Sequence, residues 1–357
     1  MTEENTTVSV DPAVATQDDP KRKKFGLYWR VRDWLMGLTY RQRLLALIGL
    51  AVLALLLVLG ILIWYLIFRK PITELPGLNI EVAPAYSYSI SGVQRPLGVA
   101  IDEEHNRLYV TQSDGGRTVK VFDVEGNPLG ELLPPDDGLM HTSTYVALDP
   151  KTMNVYVADR GSNQLYVYNP DGKYLRTLLP DPVGSWGPLG IAFDGDGQLY
   201  VADANAAPQR IWVLTTAGEV VRTFGEAETL SFPNGLAVWA DGTVAVADSN
   251  HTQVLIYNAD GTLRGKVAKG EADSALGMPR GLAIGAKDRL YVVDTTNAIV
   301  RIFRPGADDL PAYATSFGTL GQREGEFLYP NGVATDNHGH IFVTDRENNR
   351  VQVWTNR

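Results

Sequence analysis

The sequence predicts an all-β fold, a six-bladed β-propeller, preceded by a single transmembrane α-helix. Two observations predict this architecture. An uncharged apolar stretch of 25 residues lies near the N-terminus, and six copies of one short template follow it at steps of 45 to 51 residues. Charge divides at the same boundary, because residues 1–43 carry a net +2 and residues 71–357 a net −13. The chain has no cysteine, which excludes disulfide frameworks, cysteine-ligated zinc fingers and cysteine nucleophiles.

Two short regions precede the apolar stretch. Residues 1–24 are rich in Thr, Asp, Glu and Pro, and we expect a disordered cytoplasmic tail. Its basic run, Lys21 to Lys24, favours contact with anionic lipid over a nucleic-acid patch because a membrane helix follows. In residues 25–43, apolar side chains recur at helical spacing, which predicts an amphipathic juxtamembrane segment. A plain cytoplasmic extension of the membrane helix explains these residues equally well.

Residues 44–68 predict the transmembrane helix. At 1.5 Å per residue this helix is roughly 38 Å long, enough to cross a hydrocarbon core of about 30 Å. A cleavable signal peptide is the alternative, but its apolar region normally has about 7–15 residues and ends in small residues. This stretch ends in aromatic residues followed by Arg69 and Lys70. Because four arginines precede it closely, we expect a cytoplasmic N-terminus, with residues 71–357 outside.

A linker and the repeats make up the remainder. We expect residues 69–83 to form a linker stiffened by two prolines, and residues 84–357 to form the propeller. Each repeat starts at or near a Pro-x-Gly motif, forms a short strand, turns, and continues into a strand of alternating apolar residues. The copies read RPLGVAID, TSTYVALD, GPLGIAFD, FPNGLAVW, MPRGLAIG and YPNGVATD. A period near 45 residues with four short strands per unit is typical of a propeller blade and not of a helical solenoid.

Three columns of the repeat have physical explanations. The first column is glycine except in the second repeat, and we call it the glycine column: Gly98, Tyr145, Gly190, Gly235, Gly281 and Gly332. Alanine stands two residues later, because the innermost strands converge on the axis and larger side chains would overpack: Ala100, Ala147, Ala192, Ala237, Ala283 and Ala334. Aspartate ends the second strands from the second repeat on, where it accepts backbone hydrogen bonds in the next turn: Asp159, Asp203, Asp248, Asp294 and Asp345.

The two ends of the repeat region predict how the ring closes. The sixth repeat stops after its third strand and lacks a fourth. A matching segment, YSYSISG, lies at Tyr86 to Gly92, just before the first repeat. We expect it to supply the outer strand of blade six and so remove an exposed sheet edge.

The repeats resemble NHL repeats from about Tyr86 to Trp354. The best matches are FPNGLAV with GTVAVADSNHTQVLIY, and FLYPNGVATDNHGHIFVTDRENNRVQVW, which is nearly complete. The first repeat departs most, since Gln112 replaces the aspartate, and the second lacks the Pro-x-Gly start. The arrangement resembles the extracytoplasmic propellers of bacterial sensor kinases, although a cytoplasmic part of 43 residues is too short for a kinase domain.

The resemblance also implies two enzyme alternatives with a site at the channel mouth. Peptidyl-hydroxyglycine lyases hold a catalytic zinc with about three convergent histidines. The histidines of this chain are His105, His141, His251, His338 and His340. We expect only His141 and His251 at the required face. Gluconolactonase-type hydrolases use a Pro-Asn-Gly segment as a metal ligand, but no carboxylate stands at that position here and an arginine does, which disfavours a cation. The residues therefore favour no bound metal, no cofactor and a binding scaffold over an enzyme.

Polarity at the channel mouth is confined to three successive repeats. Between Pro and Gly, the six units have Leu97, Thr144, Leu189, Asn234, Arg280 and Asn331. We expect Asn234, Arg280 and Asn331 to form a small polar pocket that favours an anionic or carbonyl-bearing ligand. Solvated or water-bridged ends of the inner strands are the open alternative.

Three aromatic residues precede inner strands at the same face. We expect Trp186, Phe232 and Tyr329 to contact a protein partner, with packing over the blade junctions as the open alternative. The net −13 of residues 71–357 disfavours nucleic acid. The sequence thus predicts a single-pass cell-membrane protein whose extracytoplasmic propeller binds a protein or ligand, as an accessory, assembly or sensor component of an envelope complex.

Overall fold

The computed structural model describes residues 34, 37–68, 81–180, 186–267, 276–306 and 309–356. The predicted tail, most of the predicted juxtamembrane segment and residues 69–80 of the predicted linker lie outside the described residues. The chain divides into two compact units, Met1–Asn79 and Ile80–Arg357. The first contains one long helix and the second contains the β-sheets.

The helix α1 (Tyr40–Phe68) has 29 residues. It begins four residues before the predicted start because Thr39 and Gln42 form a capping box: the Gln42 side chain accepts a hydrogen bond from the Thr39 backbone N–H at 2.9 Å. The most apolar 18-residue window within Tyr40–Trp64 has a mean hydropathy of 3.2, and none of it is buried. By its length and composition, α1 is able to cross a membrane once.

The described strands form four-stranded units in chain order. Blade one has β2 (Pro96–Asp102), β3 (Arg107–Gln112), β4 (Val119–Phe122) and β5 (Pro128–Leu132), and blade two has β6 (Ser143–Leu148), β7 (Val155–Asp159), β8 (Gln164–Tyr168) and β9 (Tyr174–Leu178). Blade three has β10 (Pro188–Phe193), β11 (Leu199–Asp203), β12 (Arg210–Leu214) and β13 (Val220–Phe224), and blade four has β14 (Pro233–Val238), β15 (Val244–Asp248), β16 (Gln253–Tyr257) and β17 (Leu263–Lys266). Blade five has β18 (Pro279–Gly285), β19 (Arg289–Asp294), β20 (Ile299–Arg304) and β21 (Ala312–Phe317), and blade six has β22 (Pro330–Thr335), β23 (His340–Asp345), β24 (Arg350–Thr355) and the N-terminal β1 (Ala85–Ile90).

The sheet order confirms the six-bladed propeller and the closure by strand exchange. In the sixth sheet the order is β1-β24-β23-β22, so the N-terminal strand is the outer strand of the last blade. It pairs antiparallel with β24, from Ala85 opposite Thr355 to Ile90 opposite Val351. Ile90 is 2% exposed and packs in an apolar cluster shared by blades six and one. The first and last strands of the domain are therefore held in one sheet.

Adjacent inner strands approach each other most closely at the glycine column. At each of its five glycines, an added Cβ would lie less than 3.0 Å from a carbonyl oxygen of the next blade. For Gly190 this oxygen belongs to Asn234, and for Gly281 it belongs to Asn331. A side chain there would force the inner strands apart, so the close packing around the axis requires glycine.

The aspartates that end the second strands fasten the start of the inner strand in the same blade. All five are fully buried. Their carboxylates accept hydrogen bonds of 2.7 to 3.1 Å from the backbone N–H groups of Thr142, Gly187, Ser231, Gly277 and Leu328. In blade one, the Gln112 side-chain oxygen accepts the equivalent bond from the Gln94 N–H at 2.9 Å. The amide thus replaces the carboxylate without loss of this contact, which explains how the first repeat tolerates its departure from the pattern.

Candidate functional site

The two ends of the propeller axis differ in chemistry. At the far end, where the inner strands finish, a cavity of about 390 Å³ is lined by all six inner strands, including the alanine column. In each inner strand, the lining residues start at the position after the glycine column. The cavity therefore does not extend to the opposite end of the axis. That opposite end, where the inner strands begin, is called the mouth end. The chain enters the propeller at the far end, where Glu81 pairs with Arg289 at the start of β19 at 2.8 Å.

Tyr145 lies across the axis at the mouth end. It belongs to blade two, occupies the glycine column and is 9% exposed. Burial raises the pKa of Tyr145, while the charge of Arg280 and the side chain of Asn331 act in the opposite direction. Arg280 and Asn331 belong to blades five and six, so the tyrosine hydroxyl reaches towards the other side of the ring. This hydroxyl is buried beside the Asn331 side chain, but it makes no hydrogen bond of regular geometry among the described residues.

Three arginines from blades one, five and six gather near Tyr329. The guanidinium carbons of Arg280 and Arg346 lie 5.1 and 5.4 Å from the centre of the Tyr329 ring. Arg95 is paired with the Glu347 carboxylate at 2.8 Å, and Arg346 lies 3.4 Å from the same carboxylate. We call Arg95, Arg280, Arg346 and Tyr329 the arginine mouth. Glu347 pairs with two of its three cations, so the arginine mouth is a positive spot on an acidic domain.

Arg280 has only neutral partners within the described part of the chain. Its Nη1 donates to Asn331 Oδ1 at 2.8 Å, and its Nη2 donates to the Tyr329 hydroxyl at 3.2 Å. No described carboxylate lies within ion-pair distance of it. Within the described part of the chain, the Nε atoms of all three mouth arginines are buried without a hydrogen-bond partner. Arg280 is thus a partly buried charge whose described partners are all neutral.

The mouth arginines also repel one another. Burial lowers the pKa of Arg346 below its ordinary value, and the charges of Arg95 and Arg280 act in the same direction, whereas Glu347 opposes them. An anion placed among these groups would relieve the repulsion and replace the missing counter-charge. The geometry can therefore bind a carboxylate or another oxyanion through charge-assisted hydrogen bonds.

Of the predicted polar triad, two members lie in contact and one lies apart. Arg280 and Asn331 are hydrogen-bonded, and the Asn331 amide also donates to the Leu97 carbonyl at 3.1 Å, which ties blade six to blade one. Asn331 is 2% exposed, and its side-chain oxygen and nitrogen each make one of these contacts. Asn234 is 3% exposed and makes no side-chain hydrogen bond among the described residues. The site that the structure offers is thus centred on Arg280 and displaced towards blades six and one.

The three predicted contact aromatics lie in different environments. Trp186 is 6% exposed and packs edge-on against Trp212 at 6.0 Å in the apolar core between blades two and three. It packs over a blade junction and has little surface for a partner. Phe232 is half-buried, with the Arg160 guanidinium 4.9 Å from its ring centre. Tyr329 is the aromatic centre of the arginine mouth.

Each histidine lies near at least one carboxylate, and Asp336 lies near two of them, His338 and His340. His105, His251 and His340 each lie 2.6 to 2.8 Å from one buried aspartate, and His141 lies 3.2 Å from Asp137. Within the described residues, no group of three or more His, Asp or Glu side chains is suited to hold a metal ion. His338 and His340 lie at one turn of blade six, with ring centres 6.5 Å apart, whereas His105, His141 and His251 lie in other blades.

Three residues of the site were missed at the level of sequence. Tyr145 gave a signal, since it replaces glycine in the glycine column, but nothing in the sequence indicated where its side chain points. Arg95 and Arg346 gave none. They lie in segments flanking different strands, 251 positions apart, and only ring closure brings blades one and six together.

Comparisons with known proteins agree with this fold. The NHL repeat family model matches residues 327–354. The chain is 25% identical over 272 residues to Protein SUPPRESSOR OF QUENCHING 1, chloroplastic, of Arabidopsis thaliana, covering 60% of this chain and 25% of that protein. It is 35% identical over 129 residues to Protein wech of Drosophila melanogaster, covering 31% of this chain and 15% of that protein. The chain thus spans a quarter or less of the length of these two relatives.

A solved structure extends the likeness over the whole propeller. Virginiamycin B lyase from Staphylococcus aureus superposes with a TM-score of 0.54 at 13% identity, covering 76% of this chain and 99% of that one. At this identity the likeness concerns the fold alone. The chain is therefore a six-bladed β-propeller whose last blade matches the NHL repeat.

Proposed function

We propose that this protein is an NHL-family propeller anchored in the cell membrane by α1, with a cytoplasmic N-terminus, and that its extracytoplasmic propeller is a binding scaffold. The scaffold serves as an accessory, assembly or sensor component of an envelope complex. The arginine mouth carries this proposal, because it places three arginines together with one described carboxylate, which pairs with Arg95 and Arg346 alone, on a domain with a net charge of −13. A positive, partly buried spot on an acidic surface selects acidic partners.

Two further features support a scaffold. The mouth end also carries exposed apolar side chains on the loop before β6, where Leu139 and Met140 are 46% and 70% exposed. The chain enters the propeller at the far end, so the mouth end is free of the linker's point of attachment. The likeness to virginiamycin B lyase, at 13% identity, concerns the fold alone and does not carry the enzyme alternative.

The proposed topology predicts which side of the membrane each part occupies. Because the chain has no cysteine, single-cysteine variants report position without background. Lys173→Cys, in an exposed turn of blade two, is expected to react with a membrane-impermeant maleimide on intact cells. Ser9→Cys is expected to react only after permeabilisation. The reverse pattern, or labelling of both variants on intact cells, would contradict the topology.

The scaffold role predicts that a partner contacts the mouth end. A photo-crosslinking amino acid at Leu139, on the mouth end, is expected to give a discrete protein adduct in native membranes. The same amino acid at Lys173, on the far end of blade two, is the matched control and is expected to give none. Adducts of equal yield at both positions, or at neither, would count against the mouth end as the partner face.

A further inference from the structure

We infer that the arginine mouth is a carboxylate site, with Arg280 as its main donor and the Tyr145 hydroxyl as a donor from the axis. This inference rests on the proposed function and deepens it by naming the ligand: an acidic side chain or a C-terminal carboxylate of a protein partner. It uses the residues that the structure leaves unsatisfied.

The first step of the argument is the charge on Arg280. Folding half-buries this guanidinium and gives it an amide oxygen, a phenol hydroxyl and a thioether sulfur as partners, none of them anionic. Buried arginine is ordinarily balanced by a carboxylate, as Arg301 is by Asp294 at 3.1 Å and Arg350 by Asp345 at 2.8 Å in this same propeller. The absence of a described counter-ion at Arg280 indicates that an external anion supplies it.

The second step is the arrangement of donors around Arg280. The Tyr145 hydroxyl lies near Arg280 and Asn331 from the opposite blade, and it makes no hydrogen bond of regular geometry within the described structure. Arg346 lies on the other side of the blade junction, near the same Tyr329 ring, with its pKa lowered by burial and by its two arginine neighbours. Guanidinium and phenol donors that converge from three blades suit a small planar acceptor with two oxygens.

The third step is the closure of the axis. Tyr145 fills the one place in the glycine column where a side chain is present, and the far-end cavity stops below it. The far-end cavity is therefore not part of the mouth site. The Nε atoms of the mouth arginines and the Tyr145 hydroxyl are buried, so a slender carboxylate that displaces neighbouring side chains fits better than a bulky anion.

The test is binding of a tetramethylrhodamine-labelled hexaglutamate peptide to the full-length protein in phosphatidylcholine nanodiscs, followed by fluorescence anisotropy. We expect the Arg280→Gln and Arg346→Gln variants to bind at least about tenfold more weakly than the parent. Arg176→Gln, which removes the same charge from an exposed position on β9, is the matched control and is expected to change affinity less than about twofold. Tyr145→Phe, which removes only the hydroxyl, is expected to weaken binding about threefold.

Several outcomes would overturn the inference. Equal losses in Arg280→Gln and Arg176→Gln would indicate general charge attraction, and equal binding of a hexaglutamine peptide would exclude carboxylate recognition. Binding of inorganic phosphate without binding of hexaglutamate would assign the mouth to phosphate. A hexaglutamate peptide with an amidated C-terminus separates side-chain from terminal carboxylates.

If Leu139 crosslinks persist unchanged in Arg280→Gln, the carboxylate site fails while the scaffold stands. If hexaglutamate binds but no crosslink forms, the scaffold role fails alone.

Discussion

Deleting residues 84–92 from the full-length protein is expected to lower the melting temperature of the propeller by roughly 10 °C or more. The deletion removes β1, the outer strand of blade six, together with the buried Ile90 and the half-buried Tyr86 and Tyr88. Burial of one large apolar side chain contributes about 1.5–3 kcal/mol. The loss also exposes the edge of β24, which invites pairing with a second copy. Melting followed by tryptophan fluorescence, with light scattering, measures both effects.

The control is a deletion of equal length in the tail, residues 3–11, which is expected to leave the melt unchanged. Since a deletion shortens the chain between α1 and the propeller, the point variant Ile90→Ser tests the strand without that change. It is expected to lower the melting temperature by several degrees, because it removes a side chain that is 2% exposed from the cluster between blades six and one. A deletion variant that melts with the parent protein would show that closure by β1 contributes little.

Replacing Asp345 with alanine is expected to destabilise the propeller by about 3–5 kcal/mol. Its carboxylate is fully buried and accepts hydrogen bonds from the Leu328 N–H at 2.7 Å, from Arg350 Nε at 2.8 Å and from Gln352 at 2.9 Å. The substitution leaves all these donors without their acceptor and leaves the charge of Arg350 without its counter-ion. Urea unfolding of the full-length protein measures the change.

Two companion variants make this prediction specific. Asp345→Asn keeps an acceptor for the Leu328 N–H, as Gln112 does for Gln94 in blade one, and is expected to cost clearly less than alanine. Asp171→Ala removes a carboxylate from an exposed turn and is expected to change stability by less than about 0.5 kcal/mol. Equal losses of unfolding free energy in Asp345→Ala and Asp171→Ala would contradict this role. The buried aspartates at the ends of the second strands would then not be what holds the start of each inner strand.

The fold was predictable because its determinants repeat. An aspartate recurs at one place in successive repeats, and Gln112 replaces it in the first repeat. It recurs because every blade needs the local hydrogen bond that this side chain accepts. The glycine column likewise reports a local clash, since the carbonyl of the next blade occupies the space of a Cβ. The missing fourth strand of the last repeat and the extra strand YSYSISG before the first together predicted the closure that the β1-β24 pairing confirms.

The candidate site was predictable only in part because it does not repeat. Arg280 and Asn331 stand in one repeat column, which indicated that they lie near each other, but the same column also suggested Asn234, which makes no side-chain hydrogen bond in the described structure. A shared repeat position indicates at which level along the propeller axis a residue lies. It does not indicate where the side chain points or which groups it contacts.

The sequence by itself determined the period, the number of blades, the strand that closes the ring and the long apolar helix, since each depends on contacts within a repeat or between equivalent repeats. The tertiary structure alone decided that Arg95, Arg280 and Arg346 meet near Tyr329, and that Tyr145 extends from blade two towards them. These residues come from four blades and from segments distant in the chain. Their meeting depends on how the closed ring brings blades face to face across the axis, a condition that no local pattern encodes.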